Sequence, residues 1–359
     1  MKKIIKIVFL FIIISIYISY VIPFKAFCAE YLKVYSESAV LLEQSTGKVL
    51  FKKNAHKKMY PASTTKILTC IIALEECDLN EKAIASEESV SRLTEGYTKA
   101  NIVPGEEFTI EQLLLLTMLQ SANEAANVVA EHISGTIEDF AELMNKRAKE
   151  IGCLNSHFVN PNGMHDENHY STAYDLALIA RYCMQNEKYR EIVLTKKCEI
   201  PDTEIWNNYK IENKLEDEPY REFFNTNRML KEGNEYYYPY CTGGKAGFTT
   251  PAKNCFVATS NKDGFELVSV IMHAELTDDE KSARYVDTIN MFNYGYDNYK
   301  LEDILKEEDE LYEEKTLTRD DKEEQEKLDL RPLVMLGVGV IVLMIGFFML
   351  RRDRYKPAH

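Results

Sequence analysis

Hydrophobic positions near both ends of the chain's body follow the period of β-strands. Two apolar, partly alternating runs at residues 39–43 and 48–52 are separated by a polar segment ending in Gly47, which predicts a β-hairpin. A second hairpin is predicted near the far end, where apolar runs at 255–260 and 265–272 flank Asn261-Lys-Asp-Gly264. The two hairpins predict strands at both ends of one folded body.

Between the hairpins the apolar positions change to the spacing of amphipathic helices. A first helix is predicted to open at Pro61 and Ser63, and Thr109 is the predicted N-cap of a helix that enters the apolar run 113–118. Three further helices are predicted: one through 125–129 that ends near Gly135, one over 139–151 closed by Gly152, and a closing helix from Thr277 to about Met291.

This order of elements predicts an α/β fold with α+β layering. An antiparallel sheet built from both ends of the body is flanked by helices, and the helical middle forms a subdomain. A doubly wound parallel sheet is not predicted, because its strands would alternate with helices throughout. The 359 residues, 45% of them hydrophobic, suffice for one large domain or two ordinary ones.

Apolar segments at the two ends of the chain are typical of export and membrane insertion. Lysines, an apolar run over about 4–22 and then small residues predict a secretory signal peptide at 1–29. An uncleaved anchor is the alternative, because Phe27 lies where a small residue usually precedes the cut. Residues 333–350 are 18 uncharged, mostly apolar positions, which predict a transmembrane helix with a basic cytoplasmic tail at 351–359. The sequence thus predicts a single-pass cell-membrane protein with an extracytoplasmic body.

A charge-dense stretch precedes the predicted membrane helix. Residues 301–331 hold 14 Asp/Glu against 6 Lys/Arg, whereas the whole chain has a net charge of −14. Such runs are usually solvated, so we interpret 298–331 as an acidic stalk whose first part is an amphipathic helix. The remaining body, 35–297, is only mildly acidic, and its charge does not predict nucleic-acid binding.

Cysteine and histidine spacing predicts no metal centre. The eight cysteines include no Cys-x-x-Cys pair, and no His-Glu-x-x-His cluster occurs. Cys70, Cys77 and Cys183 lie in apolar helical patterns and are interpreted as small core residues. Export would permit a disulfide, and Cys241 with Cys255 is the first pair to consider.

Three short motifs carry the candidate chemistry. In Ser63-Thr-Thr-Lys66 the i, i+3 spacing puts a hydroxyl and an amine on one helix face, and the amine is a base only if burial or other cations lower its pKa. Ser121-Ala-Asn123 places a hydroxyl and an amide at a helix junction. Gly243-Gly-Lys245-Ala-Gly247 offers a cation and close backbone approach to a ligand. Each motif alone is as readily a helix cap, a polar turn or a loop, but the three in this order are specific.

The ordered set matches the Ser-x-x-Lys, Ser-x-Asn and Lys-Thr-Gly motifs of penicillin-binding proteins and class A β-lactamases. The chain resembles the low-molecular-mass, serine-type D-alanyl-D-alanine carboxypeptidases over roughly 35–297, including the segments 61–69, 121–126, 157–164, 169–175 and 225–230. The resemblance implies a β-lactamase/transpeptidase-like fold that needs no cofactor and no metal. It also implies two kinds of partner, peptidoglycan stem peptides ending in D-Ala-D-Ala and β-lactam antibiotics.

The resemblance further implies a role for each matching residue. Ser63 is the nucleophile that attacks the carbonyl of the penultimate D-Ala, Lys66 is the base, and Ser121 relays the proton to the leaving amine. The backbone N–H groups of Ser63 and Phe248 form the oxyanion hole. An amide, a cation, a hydroxyl and strand backbone groups are the implied substrate contacts: Asn123, Lys245, Thr249, Gly247 and Phe248.

Two departures from the family pattern leave alternatives open. Ala246 occupies the position where the family usually has Thr or Ser, and the acidic stalk begins where many members carry a second, β-rich domain. Unless Thr249 or Thr250 supplies the missing hydroxyl, a catalytically weakened penicillin- and peptidoglycan-binding protein of the same fold is the main alternative. A β-lactamase is disfavoured, because the Glu-x-x-x-Asn pattern of class A enzymes is not recognisable between Ser121 and Lys245.

Overall fold

The strands of the described chain form one large sheet and two small ones. The computed structural model describes residues 32–92, 97–214 and 221–311. In chain order the strands are β1 (Ser38–Glu43), β2 (Val49–Lys53), β3 (Lys82–Ile84), β4 (Glu107–Thr109), β5 (Lys197–Glu199), β6 (Glu222–Phe224), β7 (Cys241–Thr249), β8 (Lys253–Lys262) and β9 (Phe265–Ala274). The large sheet is antiparallel with the order β2-β1-β9-β8-β7, while β3 pairs with β4 and β5 pairs with β6.

Helices cover the sheet and fill the long segment between its strands. They are α1 (Lys66–Glu76), α2 (Glu87–Ser91), α3 (Ile110–Leu115), α4 (Asn123–Ser134), α5 (Ile137–Ile151), α6 (Ala173–Cys183), α7 (Glu187–Leu194), α8 (Glu204–Glu212) and α9 (Ala283–Asn298). Two 3₁₀ turns, Ala62–Thr65 and Arg228–Leu230, and a π-helical turn, Leu116–Gln120, connect them. Residues 301–311 are also helical.

The sheet is buried on both faces, because successive side chains of a strand point in opposite directions. Val40 and Leu42 of β1 belong to the hydrophobic core that includes α1 and α6, whereas Ala39 and Leu41 belong to the core that includes α9. All six residues of β1 are buried. Burial on both sides explains why this strand is a continuous apolar run rather than a strictly alternating one.

The predicted hairpins and the predicted fold class are confirmed. Strands β1 and β2 pair as an antiparallel hairpin, and Gly47 takes φ +78° in its turn. Strands β8 and β9 form the second hairpin, with Gly264 at φ +87°. The large sheet joins the two ends of the body around a helical middle, as the element order predicts.

Two helix starts differ from the prediction. The closing helix begins at Ala283 rather than Thr277, because the Thr277 hydroxyl accepts a hydrogen bond from the Lys281 backbone N–H and holds 277–281 in a turn. Helix α5 begins at Ile137 rather than at Asp139, because the Thr136 side chain caps it by accepting from the Asp139 N–H.

Cys241 and Cys255, the first pair considered for a disulfide, are not bonded to each other, and both thiols are free. Cys241 pairs with Ser260 across the β7–β8 ladder, whereas Cys255 pairs with Gly247. Five residues along β8 separate the two levels, which is about 16 Å at the usual rise of a strand. A disulfide requires Cα atoms within about 7 Å.

The predictions for the chain termini lie largely outside the described residues. These are the signal peptide at 1–29, the stalk beyond residue 311, the membrane helix at 333–350 and the tail at 351–359. Among the helices of the described part, none has the length and apolarity needed to cross a membrane. The first part of the predicted stalk is helical, and its Ile304 is buried against the core that includes α9.

Candidate active site

Ser63 lies in the 3₁₀ turn Ala62–Thr65 that leads directly into α1. The turn puts the Lys66 Nζ atom 3.0 Å from the Ser63 Oγ atom. Lys66 is fully buried, whereas Ser63 lines an open cavity. The structure therefore brings the two residues of the first motif together, with the hydroxyl on the cavity side and the amine behind it.

The hydrogen bonds of Lys66 define which part of its amine faces Ser63. Besides Ser63 Oγ, Nζ contacts two groups that accept only, Asn123 Oδ1 at 2.7 Å and Asn162 O at 2.6 Å. The orientation of the Asn123 amide follows from its Nδ2, which donates to Thr98 O. A neutral amine has two N–H donors and one lone pair. The two acceptors use both donors, so the lone pair is left for the Ser63 hydroxyl proton.

The electrostatic environment favours the neutral form of this amine. Burial, and then the charge of Lys245, hold the pKa of Lys66 well below its usual value, while Glu124 acts in the opposite direction. A lysine with a lowered pKa is able to act as a general base near neutral pH. Lys66 thus has the geometry of a base for Ser63, in an environment that favours the neutral form such a base needs.

The second motif lines the same cavity, and its backbone conformation is unusual. Ser121 follows the π-helical turn Leu116–Gln120 and takes the left-handed conformation, with φ +63°. Such residues are uncommon outside glycine, and π-helical turns occur frequently at functional sites. Helix α4 begins two residues later, at Asn123. Both Ser121 and Asn123 line the cavity together with Ser63.

The third motif lies on β7, which is an edge strand of the large sheet. A Cβ atom on Gly247 would lie 2.7 Å from the Ser63 backbone nitrogen, so only glycine permits this close approach of β7 to the nucleophile. Gly247, Phe248 and Thr249 line the cavity. An edge strand can pair through its backbone with an extended peptide.

Two cations lie at this edge, but only one of them lines the cavity. Lys245 is buried, its Nζ donates to Ala246 O at 3.1 Å, and burial together with the charge of Arg284 lowers its pKa to about 7. Arg284, in the first turn of α9, lines the cavity, and its Nε is buried without a hydrogen-bond partner among the described residues. Lys245 is thus not among the cavity-lining residues and acts on Lys66 through its charge, whereas the Arg284 guanidinium lines the cavity.

A series of hydrogen bonds fixes the backbone carbonyl of the residue before Ser63. Sequence analysis did not identify it. Val159 N–H donates to His169 Nδ1, which leaves the ring proton on Nε2, 2.8 Å from Thr65 Oγ1. Thr65 in turn donates to the carbonyl of Ala62, a residue in the left-handed region with φ +49°. Burial lowers the pKa of His169 to about 3, so the ring stays neutral and keeps this donor role.

The cavity of about 240 Å³ collects most of the candidate residues from the three motifs. Thr249 lines it, and the Thr249 hydroxyl oxygen accepts from Ala252 N–H, whereas Thr250 is exposed and is not among the lining residues. Of these two threonines, only Thr249 lines the cavity and is a candidate to replace a hydroxyl at Ala246. The complete lining is Ser63, Tyr97, Thr98, Ser121, Asn123, Gly163, Met164, Thr226, Ala246, Gly247, Phe248, Thr249 and Arg284.

Sequence comparisons identify relatives of this chain. A sequence model of the D-alanyl-D-alanine carboxypeptidase family matches residues 25–276. The D-alanyl-D-alanine carboxypeptidase DacF of Bacillus subtilis is 34% identical over 278 residues, which are 76% of this chain and 64% of that protein. The D-alanyl-D-alanine carboxypeptidase DacB2 of Mycobacterium tuberculosis is 27% identical over 73% of this chain and 82% of that protein. The chain thus spans less than two thirds of the length of the Bacillus subtilis relative.

Solved structures share the fold. The DD-transpeptidase of Streptomyces K15 superposes with a TM-score of 0.64 at 25% sequence identity, over 74% of this chain and 98% of that one. A D-alanyl-D-alanine carboxypeptidase from Mycobacterium tuberculosis superposes with a TM-score of 0.65 at 24% identity, over 75% and 94% of the two chains. The predicted β-lactamase/transpeptidase-like fold is confirmed.

Proposed function

The chain belongs to the D-alanyl-D-alanine carboxypeptidase family, and we propose that it is a serine-type carboxypeptidase that removes the terminal D-Ala from peptidoglycan stem peptides. The observation that carries the proposal is the Lys66 amine, whose two N–H groups are used by fixed acceptors and whose lone pair faces Ser63. The reaction proceeds through an acyl-enzyme on Ser63 and requires neither a metal nor an organic cofactor.

In the acylation step Lys66 takes the Ser63 proton while Oγ attacks the carbonyl carbon of the penultimate D-Ala. The oxyanion that develops accepts hydrogen bonds from the backbone N–H groups of Ser63 and Phe248. This assignment is supported by the contact of β7 with the Ser63 amide at Gly247. Ser121, which lines the cavity beside Ser63, passes a proton to the amine of the departing D-Ala.

The proposal revises how the substrate is held. Arg284 binds the terminal carboxylate, because it is the guanidinium in the cavity lining and its Nε has no partner within 32–92, 97–214 and 221–311. Lys245, which is buried on β7, contributes positive charge that favours the neutral form of Lys66. The Asn123 side chain bonds to Lys66 and Thr98, so its first role is to orient the base. The substrate backbone pairs with β7 along Gly247 and Phe248.

A water molecule then attacks the acyl-enzyme and releases the shortened peptide, with Lys66 again as the base. A β-lactam carries a carboxylate near a strained amide, as the stem peptide carries its terminal carboxylate near the scissile amide. It therefore acylates Ser63 as well. A catalytically weakened binding protein would need a feature that disables Ser63 or Lys66. The one departure that bears on this alternative is Ala246.

Replacing Ala246 with threonine tests whether the missing hydroxyl at this position slows acylation. We expect Ala246→Thr to increase the second-order rate of acylation by a β-lactam by about tenfold, because it adds a hydroxyl to the cavity lining near Arg284. A hydrogen bond to a charged group contributes about 1.5–3 kcal/mol, and ~1.4 kcal/mol corresponds to a factor of ten.

Ala246→Val is the matched control, because valine has the shape of threonine without its hydroxyl. We expect this variant to react no faster than the wild type. If Ala246→Thr is unchanged or slower while Thr249→Val loses much of the rate, the Thr249 hydroxyl already fills the role, and the expectation that Ala246 slows acylation is wrong.

We also propose that the body acts outside the cytoplasm and is held at the cell membrane by residues 333–350. The proposal is supported by the uncharged apolar sequence of that segment and by the arginines that follow it. Protease added to intact, wall-stripped cells is expected to release the body by cutting within residues 301–331 of the stalk and to leave a small protected C-terminal fragment. A body that stays fully protected until the cells are lysed would contradict this topology.

A further inference from the structure

A second cavity, of about 450 Å³, lies next to the active-site cavity. One segment of chain separates the two, since Tyr97 and Thr98 line the first cavity and Lys99 and Asn101 line the second. Helix α4 divides in the same way, because Asn123 lines the first cavity and Glu124, the next residue, lines the second. Consecutive residues of the same two segments therefore line the two cavities.

Glu124 brings an unpaired acceptor to the second cavity. Its Oε1 atom accepts from the backbone N–H groups of Ala100, at 2.6 Å, and Ile102, at 3.4 Å. Its Oε2 atom is buried and has no hydrogen-bond partner among the described residues, and the residue is only 1% exposed. Burial raises the pKa of Glu124, as expected for a carboxylate with too few donors around it. A ligand N–H would supply the missing donor.

Trp206 brings an unpaired donor to the same cavity. It is the only tryptophan of the chain, and its indole N–H is buried without a partner among the described residues. The Arg221 guanidinium lies 4.2 Å from the indole ring centroid and is fixed by two hydrogen bonds to the Glu106 carboxylate. Because the ring is held in place before any ligand arrives, little conformational freedom is lost on binding.

The remaining lining is mixed in polarity and partly open to solvent, because Ser91, Lys99 and Asn101 lie in it beside the aromatic and aliphatic residues. Tyr209 stacks beside Trp206 with ring centroids 5.7 Å apart, lines the cavity and is 37% exposed. Ile102 and Pro104 are among the other lining residues. The cavity thus combines one unpaired acceptor and one unpaired donor with an aromatic and aliphatic surface and three further polar side chains, and such a mixture of apolar surface and placed polar groups is found in small-molecule sites.

We propose that this cavity is a second binding site, which takes a secondary amide carrying an apolar substituent. The amide N–H donates to Glu124 Oε2, the amide carbonyl accepts from the Trp206 indole N–H, and the substituent packs against Tyr209. Peptidoglycan offers two sources of this group, the backbone of the stem peptide and the acetamido groups of the glycan. The choice between these sources rests on the proposed function, whereas the amide chemistry rests on the cavity alone.

The single tryptophan makes the test direct. The full chain labelled with ¹⁵N-tryptophan has one indole N–H resonance, which is followed during titration with two probes that lack a terminal D-Ala-D-Ala. The probes are N,N′-diacetylchitobiose and N-acetyl-L-alanine methylamide. We expect the indole resonance to shift with at least one of them, because the ligand carbonyl becomes its hydrogen-bond acceptor.

Variants identify the contacts. Glu124→Gln keeps an acceptor for Ala100 and Ile102 but presents a donor in place of Oε2, so we expect it to weaken binding of the responding probe by about tenfold or more. Tyr209→Ala removes the partly exposed ring, and we expect it to weaken binding as well. Ile211→Ala is the matched control, because Ile211 is 62% exposed on the same helix and is not among the lining residues.

Each outcome decides the proposal. A shift with the disaccharide alone assigns the site to the glycan, a shift with the peptide alone assigns it to the stem, and a shift with both supports a general amide site. No shift with either probe, or unchanged affinity in both Glu124→Gln and Tyr209→Ala, overturns the proposal. D-Ala release is not part of the readout, so failure of the proposed carboxypeptidase activity would be seen separately.

Discussion

Ser63→Ala is expected to abolish covalent labelling by a fluorescent penicillin, with a decrease of at least about a thousandfold. The reason is that Ser63 Oγ is the only hydroxyl in the described structure within hydrogen-bonding distance of the Lys66 amine. Labelling is measured by gel fluorescence, and the modified residue is mapped by mass spectrometry of the wild-type digest. Ser45→Ala, in the exposed turn of the first hairpin, is the control and should label normally.

A label that maps to Ser121 in the wild-type protein would show that the nucleophile is misassigned. The same conclusion would follow if Ser63→Ala retained wild-type labelling. Unfolding of the variant is excluded by comparing its thermal transition with that of the wild type, since loss of one partly exposed hydroxyl should change stability little.

Lys66→Arg is expected to lower the second-order acylation rate by about 10²–10⁴-fold. Arginine keeps a positive charge but does not lose its proton in proteins, so it has no lone pair for the Ser63 proton. Lys57→Arg, at an exposed ion pair with Glu37, is the matched control and should acylate at the wild-type rate. A Lys66→Arg variant that reacts at nearly the wild-type rate would rule out Lys66 as the base.

The pH dependence of the wild-type reaction provides a second readout for the same residue. Burial and the charge of Lys245 lower the pKa of Lys66, so the amine is neutral over a wider range of pH than an exposed lysine. The neutral form is the active one, so the acylation rate should decrease as the pH falls through this lowered pKa. A rate that increases on acidification would contradict a role for the neutral amine.

The elements that sequence analysis located correctly are those specified by local signals. The first hairpin depends on two short apolar runs and Gly47, and α4 ends where Gly135 follows its last apolar turn. The contact between Ser63 and Lys66 is also predictable from the sequence, because the i, i+3 relation brings both side chains together within one turn.

The residues that sequence analysis missed are positioned by contacts between distant segments. Asn162 reaches Lys66 through its backbone carbonyl, which any residue type could provide, so its identity gives no signal. Arg284 enters the cavity from the first turn of α9, and the predicted start at Thr277 placed that turn wrongly. His169 lies in a segment that resembles the family, but its action through Thr65 on Ala62 requires the folded structure.

Burial also changed the interpretation of residues that the motifs had identified. Lys245 is predicted to contact the substrate carboxylate, but its side chain is 1% exposed and is not among the residues that line the cavity. Asn123 was expected to hold the substrate amide, yet both ends of its own amide have partners in the protein. Sequence spacing identifies which residues approach the site, whereas the hydrogen-bond partners that determine their roles depend on packing.

Release of D-Ala from a diacetyl-L-Lys-D-Ala-D-Ala peptide tests the proposed activity most directly. The wild-type chain is expected to release one D-Ala per peptide, Ser63→Ala is expected to release none, and prior treatment with penicillin should block the wild-type reaction. A wild-type chain that penicillin acylates at Ser63 but that releases no D-Ala would contradict the carboxypeptidase assignment and identify a binding protein of the same fold.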